Sequence, residues 1–180
     1  GLLSKEILND YRGNSHYDNQ SRFMTNREIY QYFHEMGYDY GNYFQAIKWA
    51  YVSQDNIYSL IEVNQDWNYK LSPVIIDAGL QSAILSRKPS YDKNTIMVPY
   101  YIEKIIIFRF PENEPIYCIC KPKKQMSDLS FIFDIELSDV YGRILIQLLG
   151  VTSVQTSINN FMNKLSDTTS MMEAQIYELN

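Results

Sequence analysis

Two polar side chains interrupt an otherwise apolar stretch, residues 74–86, and are the groups best suited to chemistry. Asp77 and Gln81 stand four residues apart, a spacing that places them on the same face of a helix. Burial raises the pKa of a carboxyl group, and a carboxylic acid that stays protonated can donate its proton. The Gln81 amide is suited to orient that carboxyl by a hydrogen bond. The pair therefore indicates an oriented general acid, with the alternative that Asp77 only orders the first turns of the helix.

The element predicted to carry this pair is a buried helix that begins at Ser72-Pro73. Serine is a favoured helix cap, and proline is favoured at the first helical position. The residues that follow are apolar nearly all round, which is typical of a helix buried on most of its sides.

The segments around the buried helix predict an antiparallel sheet. Thr25 and Glu28 match a capping box, and the apolar spacing after them predicts an amphipathic helix over residues 26–36. Residues 45–63 have the pattern of a β-hairpin. Four or more strands are predicted after the buried helix, between residues 96 and 154. A sheet wrapped around one central helix is the hotdog architecture, an α+β fold; periodicity alone predicts α+β with an antiparallel sheet.

The boundaries follow from composition. Residues 1–24 are polar and without an apolar period, so we expect a linker or a strap there. Residues 25–157 are predicted to form the hotdog domain, and residues 158–180 an exit linker. A chain of 180 residues with 46% hydrophobic and 21% charged residues has the composition of an ordinary globular protein.

Charge and hydropathy argue against two classes of partner for this chain. The formal net charge is −5, whereas binding to nucleic acid depends on clustered Lys and Arg. No apolar run approaches the roughly 20 residues that span a bilayer. We therefore expect neither nucleic acid nor a membrane as partner.

The remaining reactive side chains predict no metal site. Cys118 and Cys120 stand two apart, where strand geometry places them on one face and rarely permits a disulfide. They are interpreted as small strand residues of a cytoplasmic protein. The only histidines are His16 and His34, too few to complete a zinc site with these cysteines.

Three motifs occur in an order that resembles the dehydratase domain of modular polyketide synthases, over about residues 28–155. They are Tyr40-Gly41-x-x-Phe44, Pro73-x-x-x-Asp77-x-x-x-Gln81 and Val98-Pro99. Dehydratase domains of this family are double hotdogs, with a catalytic His in the first half and the acid Asp in the second. The resemblance is to the second, C-terminal half, with Ser72 where the family usually has His.

The resemblance implies a role for each matching residue. Asp77 would protonate the leaving β-hydroxyl of an acyl chain, and Gln81 would orient it. Tyr40 and Gly41 would lie in the turn beside the cleft. Phe44 and Pro99 match motif positions near the cleft that we interpret as structural.

The departure from the family concerns the base. His34 and His16 do not fit the family's His-x-x-x-Gly-x-x-x-x-Pro motif, so the chain lacks a group to remove the α-proton. We expect the His-bearing N-terminal half, or a second hotdog, to supply it. Two alternatives stay open: a diverged isomerase or cyclase domain, which Asp77 and Gln81 disfavour, and a non-catalytic acyl-binding scaffold.

The resemblance also implies partners. The substrate would be carried on the phosphopantetheine arm of an acyl carrier protein, so no bound cofactor is expected. Other polyketide synthase domains would be further partners.

Overall fold

The structure, a computed structural model, describes residues 21–53, 55–63, 70–86, 95–112, 114–127, 130–160 and 163. In this part of the chain one antiparallel sheet packs with two α-helices, and residues 158–160 and 163 are also helical. A short 3₁₀ helix, Asn42–Phe44, follows the first α-helix. The other elements, in chain order, are β1 Arg22–Thr25, α1 Asn26–Glu35, β2 Ile47–Val52, β3 Ile57–Ile61, α2 Pro73–Ile84, β4 Thr95–Ile107, β5 Ile116–Ser127, β6 Ser130–Ser138 and β7 Ile144–Ser157.

The strand order is β1-β2-β3-β5-β6-β7-β4, and all neighbouring strands pair antiparallel. β4 follows α2 in the chain but lies at the far edge of the sheet, beside β7. The helix α2 contacts β3, β5 and β6 in the middle of the sheet. This arrangement confirms the predicted hotdog fold.

Small residues let α2 approach the sheet closely. Ala78 is fully buried, and a Cβ placed on Gly79 would lie 3.4 Å from Cγ2 of Ile135 and 3.5 Å from Cδ2 of Leu137. A larger side chain here would displace the helix from β6, because a packed interior has little free volume. The close packing therefore fixes the distance between the sheet and the part of α2 that carries Asp77 and Gln81.

The helix α1 begins and ends as its sequence predicts. The Glu28 carboxylate accepts hydrogen bonds from the Thr25 N–H at 2.8 Å and from the Thr25 hydroxyl at 2.7 Å. At the other end Gly37 has φ +89°, a left-handed conformation that suits glycine. The Tyr38 N–H then donates to the Phe33 carbonyl at 2.9 Å. This turn directs the chain back toward Tyr40 and the centre of the domain.

The sheet begins earlier than predicted. Residues 22–25 form β1, which pairs with β2, whereas the sequence places residues 1–24 in a linker. The Arg22 guanidinium donates to the Leu85 carbonyl at 3.0 Å and lies 4.5 Å from the centre of the Tyr32 ring. A strand of four residues has too few side chains to show a period of two, so tertiary contacts define it.

The edge strand β4 is 13 residues long and contains Pro99. It runs through Pro99 without a break, with a bulge between Pro99 and Tyr101 where the pairing with β7 shifts register. Proline lacks the N–H that a central strand needs, so its place on an edge strand is the expected one.

Parts of the predicted linkers lie outside the described residues. These parts are residues 1–20, which include His16, and 161–162 and 164–180. The last strand ends at Ser157, where the sequence predicts the end of the hotdog domain. Within the described part of the chain, no helix has both the length and the apolar composition to cross a bilayer.

Ser72 occupies the cap position of α2, as predicted, but its hydroxyl makes no capping hydrogen bond. The Oγ atom is buried and has no hydrogen-bond partner. Removing a capping serine usually costs about 0.5–2 kcal/mol. We expect Ser72→Ala instead to leave the free energy of unfolding unchanged or to increase it, because an unpaired buried hydroxyl is destabilising.

Urea unfolding of Ser72→Ala beside Thr25→Ala measures this difference. Thr25→Ala removes a hydroxyl that does have a partner, so it should lose about 1 kcal/mol. An equal loss for Ser72→Ala would show that its hydroxyl is satisfied in solution.

Candidate active site

Asp77 and Gln81 form the predicted pair. Both lie on α2. Asp77 is in the first half of the helix and is half-buried, and Gln81 is only 1% exposed. Gln81 Nε2 donates a hydrogen bond to Asp77 Oδ2 at 2.6 Å. The hydrogen bond expected between the Gln81 amide and the Asp77 carboxyl is therefore present.

The environment of Asp77 favours its protonated form. Burial raises the pKa of the Asp77 carboxyl, and the hydrogen bond from Gln81 acts in the opposite direction because it stabilises the carboxylate. Burial is the larger of the two effects. At neutral pH the protonated fraction of Asp77 is therefore larger than that of an exposed aspartate, which is what a proton donor requires.

The carboxamide of Gln81 is held from three directions. Besides the bond to Asp77, Nε2 donates to the Phe44 carbonyl at 3.0 Å, and Oε1 lies 3.0 Å from the donating hydroxyl of Tyr30. A backbone carbonyl only accepts, and the ionised Asp77 carboxylate likewise only accepts. These partners determine which end of the amide carries nitrogen, because a flipped amide would lose its bonds to the Phe44 carbonyl and the Asp77 carboxylate.

Tyr30 is a member of the site that sequence reasoning missed. It lies on α1, and its buried hydroxyl accepts a hydrogen bond from the Ile47 N–H at 3.0 Å. The same hydroxyl is 3.1 Å from the Phe44 carbonyl. Burial is the main cause that raises the pKa of Tyr30, and the charge of Asp77 adds to it. The available signal was a tyrosine on the buried face of an amphipathic helix, where a hydroxyl requires a partner.

The predicted aromatic turn lies beside the pair. The Tyr40 ring packs edge-on against Phe33, with centroids 5.2 Å apart, and against Tyr30 at 6.2 Å. Burial raises the pKa of Tyr40, and the charge of Asp77 raises it further. Phe44 contributes its carbonyl to Gln81, whereas its side chain is exposed.

Gly41 and Pro99 have a different relation to the site. Gly41 has φ −61°, and a Cβ placed on it would meet nothing within 4 Å, so the fold itself does not demand glycine there. Pro99 lies exposed on the edge strand β4, and no described contact joins it to Asp77 or Gln81. The β4 strand is hydrogen-bonded to the segment that leads into the aromatic turn, because the Tyr38 hydroxyl donates to the Met97 carbonyl at 2.7 Å.

The other reactive groups lie elsewhere. His34 is exposed on α1. Cys118 and Cys120 are buried free thiols, and burial raises the pKa of Cys118 to about 11, which makes it unreactive at neutral pH. Among the described residues no group of three or more His, Cys, Asp or Glu side chains is placed to hold a metal ion.

An antiparallel sheet around a central helix with an Asp–Gln pair defines a hotdog domain with a candidate acid. A family model described as the polyketide synthase dehydratase N-terminal domain matches residues 14–162. The chain belongs to the polyketide synthase dehydratase family.

Individual relatives agree with this assignment. The polyketide synthase PksM of Bacillus subtilis (strain 168) is 23% identical over 139 residues, which are 72% of this chain and 3% of that protein. The dehydratase domain from the CurJ module of the curacin polyketide synthase has a TM-score of 0.67 and 24% identity, and the match covers 76% of this chain and 50% of that one. A trans-AT polyketide synthase dehydratase domain from Brevibacillus brevis has a TM-score of 0.67 and 20% identity, with 76% and 49% covered. The chain thus spans about half of the solved dehydratase chains.

Proposed function

We propose that this chain is the C-terminal hotdog of a polyketide synthase dehydratase and supplies the acid for removal of water from a β-hydroxyacyl chain. The observation that carries the proposal is the half-buried Asp77 carboxyl, held by the 2.6 Å hydrogen bond from Gln81. An aspartate whose pKa is raised by burial and whose orientation is fixed by an amide is suited to proton donation.

The elimination needs an acid and a base on the two sides of the substrate. The base removes the α-proton, the C–H electron pair forms the new C=C bond, and the C–O bond to the β-hydroxyl breaks. Asp77 donates its proton to the departing oxygen, so that water leaves. Because Oδ2 already accepts from Gln81 Nε2, the proton to be donated belongs on Oδ1.

The assignment to the C-terminal half rests on the residues of α2. The family model is described for the N-terminal domain, whereas the resemblance places the acid Asp and its Gln partner in the second half. His34, the histidine that the structure describes, is exposed on α1 and does not fit the His motif. We therefore assign the base to a separate, His-bearing hotdog.

The edge of the sheet supports a second hotdog as partner. β4 is an edge strand of the sheet, and it carries exposed apolar side chains, among them Tyr101 at 57% and Ile105 at 51%. The chain continues from this strand into Phe108, which is 60% exposed. An unpaired edge strand with exposed apolar residues favours pairing with another chain or domain.

The substrate would reach Asp77 on the phosphopantetheine arm of an acyl carrier protein, in the cytoplasm and beside other polyketide synthase domains. The thioester arm is part of the substrate, so the proposal requires no resident cofactor. Substrate chain length and stereochemistry would depend on a cleft shared with the partner hotdog.

A non-catalytic acyl-binding module is the second candidate. The observation that favours it is the exposed position of His34, which leaves the described part of the chain without a base near Asp77. An isomerase or cyclase is less favoured, because the Asp77–Gln81 pair is intact.

Mass spectrometry of the loaded carrier protein distinguishes these functions. The intact assembly is incubated with a β-hydroxyacyl carrier protein, and the mass of the acyl chain is followed over time. We expect loss of one water to give the enoyl thioester. An acyl chain that is bound but unchanged in mass would support the binding module and contradict the dehydratase proposal.

A further inference from the structure

We propose that Tyr30 is a positioning residue for the acid: its hydroxyl locks the Gln81 amide, and the amide in turn holds the Asp77 carboxyl. This inference rests on the proposed acid role of Asp77 and adds the residue that determines the orientation of the pair. Tyr30 reaches the site from α1, whereas Asp77 and Gln81 lie on α2.

The hydrogen of the Tyr30 hydroxyl can be placed by elimination. The hydroxyl oxygen accepts from the Ile47 N–H, and it has one hydrogen to donate. Gln81 Oε1 lies 3.0 Å away and carries no hydrogen, so the contact is favourable only with the phenol hydrogen between the two oxygens. The Phe44 carbonyl, the other acceptor at 3.1 Å, already receives a hydrogen bond from Gln81 Nε2.

The resulting hydrogen bonds all donate in one direction, from the Ile47 N–H to Tyr30, from Tyr30 to Gln81, and from Gln81 to Asp77. Bonds arranged in this way polarise one another, so each strengthens the next. The phenol therefore makes Gln81 a better donor to Oδ2 and opposes rotation of its amide.

Loss of the Tyr30 hydroxyl would free the Gln81 amide to rotate. Gln81 is 1% exposed, so Oε1 would have no water to replace the phenol. An amide that rotates to satisfy Oε1 moves Nε2 away from Asp77, and a flipped amide would turn Oε1 toward the carboxylate. Either change frees the carboxyl to turn, and the proton is no longer held toward the substrate.

The groups that face Asp77 make a pH profile informative. Among the described residues, the titratable side chains that interact with its charge are the phenols of Tyr30 and Tyr40. Burial raises the pKa of both phenols. The base must be unprotonated and the acid protonated, so the alkaline limb of the profile reports on the Asp77 carboxyl rather than on the partner's base.

Tyr30→Phe in the intact dehydratase assembly tests the proposal. We expect kcat to fall about tenfold with little change in KM, because the loss of orientation affects the transition state rather than binding. The hydrogen bond from Gln81 lowers the pKa of Asp77, so weakening it should raise that pKa. Activity of an acid is lost as pH rises through its pKa, and the alkaline limb of kcat should therefore move to higher pH.

Tyr38→Phe is the matched control. The Tyr38 hydroxyl also bonds the backbone, since it accepts from the Met97 N–H at 2.6 Å and donates to the Met97 carbonyl. Its loss should lower thermal stability to a similar extent as Tyr30→Phe and leave the alkaline limb in place. Equal pH profiles for the two variants would show that Tyr30 is only structural and would overturn the inference.

Combination with Asp77→Asn separates this inference from the proposed function. If Tyr30 acts through Asp77, the double variant should be no slower than Asp77→Asn alone. An Asp77→Asn variant that keeps its activity would refute the acid role itself. A large loss with Asp77→Asn and a further tenfold loss in the double variant would retain the acid and refute the positioning role.

A second substitution covers the case in which Tyr30→Phe does not fold. 3-Fluorotyrosine at position 30 keeps the ring and a hydroxyl that is a stronger donor. A stronger bond to Gln81 should strengthen the bond from Gln81 to Asp77 and move the alkaline limb to lower pH, opposite to Tyr30→Phe. An unmoved limb in this folded variant would also overturn the inference.

Discussion

Asp77→Asn is expected to lower kcat of the intact dehydratase assembly by about 10²–10⁴-fold, the range that general acid catalysis contributes. Asparagine keeps the shape of the side chain, and its carbonyl oxygen can still accept the hydrogen bond from Gln81 Nε2 that Oδ2 accepts now. What is lost is a proton acidic enough to protonate a departing hydroxyl.

The fold should not be weakened by this change. Burial disfavours the ionised form of Asp77 and raises its pKa, so a neutral amide removes a group that is costly to ionise. Thermal melting of Asp77→Asn should therefore match that of the native chain or occur at a higher temperature.

Turnover of a β-hydroxyacyl carrier protein, followed by mass, measures the effect. Asp39→Asn makes the same chemical change at an exposed position near the aromatic turn and should keep full activity. Activity of Asp77→Asn within tenfold of the native rate, a barrier change under about 1.4 kcal/mol, would reject the acid role.

The second large effect concerns completion of the site. We expect this chain alone to release no water, and a His-bearing dehydratase hotdog, added to it, to restore turnover. Elimination requires both removal of the α-proton by the base and protonation of the β-hydroxyl by the acid, so neither half should suffice. Light scattering of the mixture should show a complex of the two halves.

Variants of the exposed edge test where the partner binds. Ile105→Lys places a charge on β4, where Ile105 is 51% exposed, and should prevent both the complex and the restored activity. Phe23→Lys changes an apolar residue that is 60% exposed on β1, at the opposite edge, and should leave both intact. A monomer that gains no activity from the added half would identify a stand-alone binding module.

Local features of this protein could be predicted from its residues. Helix geometry places side chains four residues apart next to each other, which is why the spacing of Asp77 and Gln81 predicts their contact. The capping box of Thr25 and Glu28 and the left-handed Gly37 are local in the same way. The hairpin of β2 and β3 joins neighbours in the chain.

Short or irregular elements were harder to predict. β1 has four residues, too few to display alternation, and it exists because β2 offers it a partner. Ser72 occupies the predicted cap, but whether its hydroxyl finds a donor or an acceptor depends on packing around it, and it finds none.

The sequence by itself predicted an α+β fold with an antiparallel sheet and the contact between Asp77 and Gln81, whereas the tertiary structure decided what surrounds these two residues. Tyr30 meets Gln81 across 51 residues of chain, and the Phe44 carbonyl meets it across 37. The position of β4 beside β7 likewise depends on pairing between strands far apart in the chain. Periodicity and helix caps depend on neighbours within a few residues, so they can be predicted from the sequence. Contacts between distant segments form only when the whole sheet closes around α2 and buries these groups together.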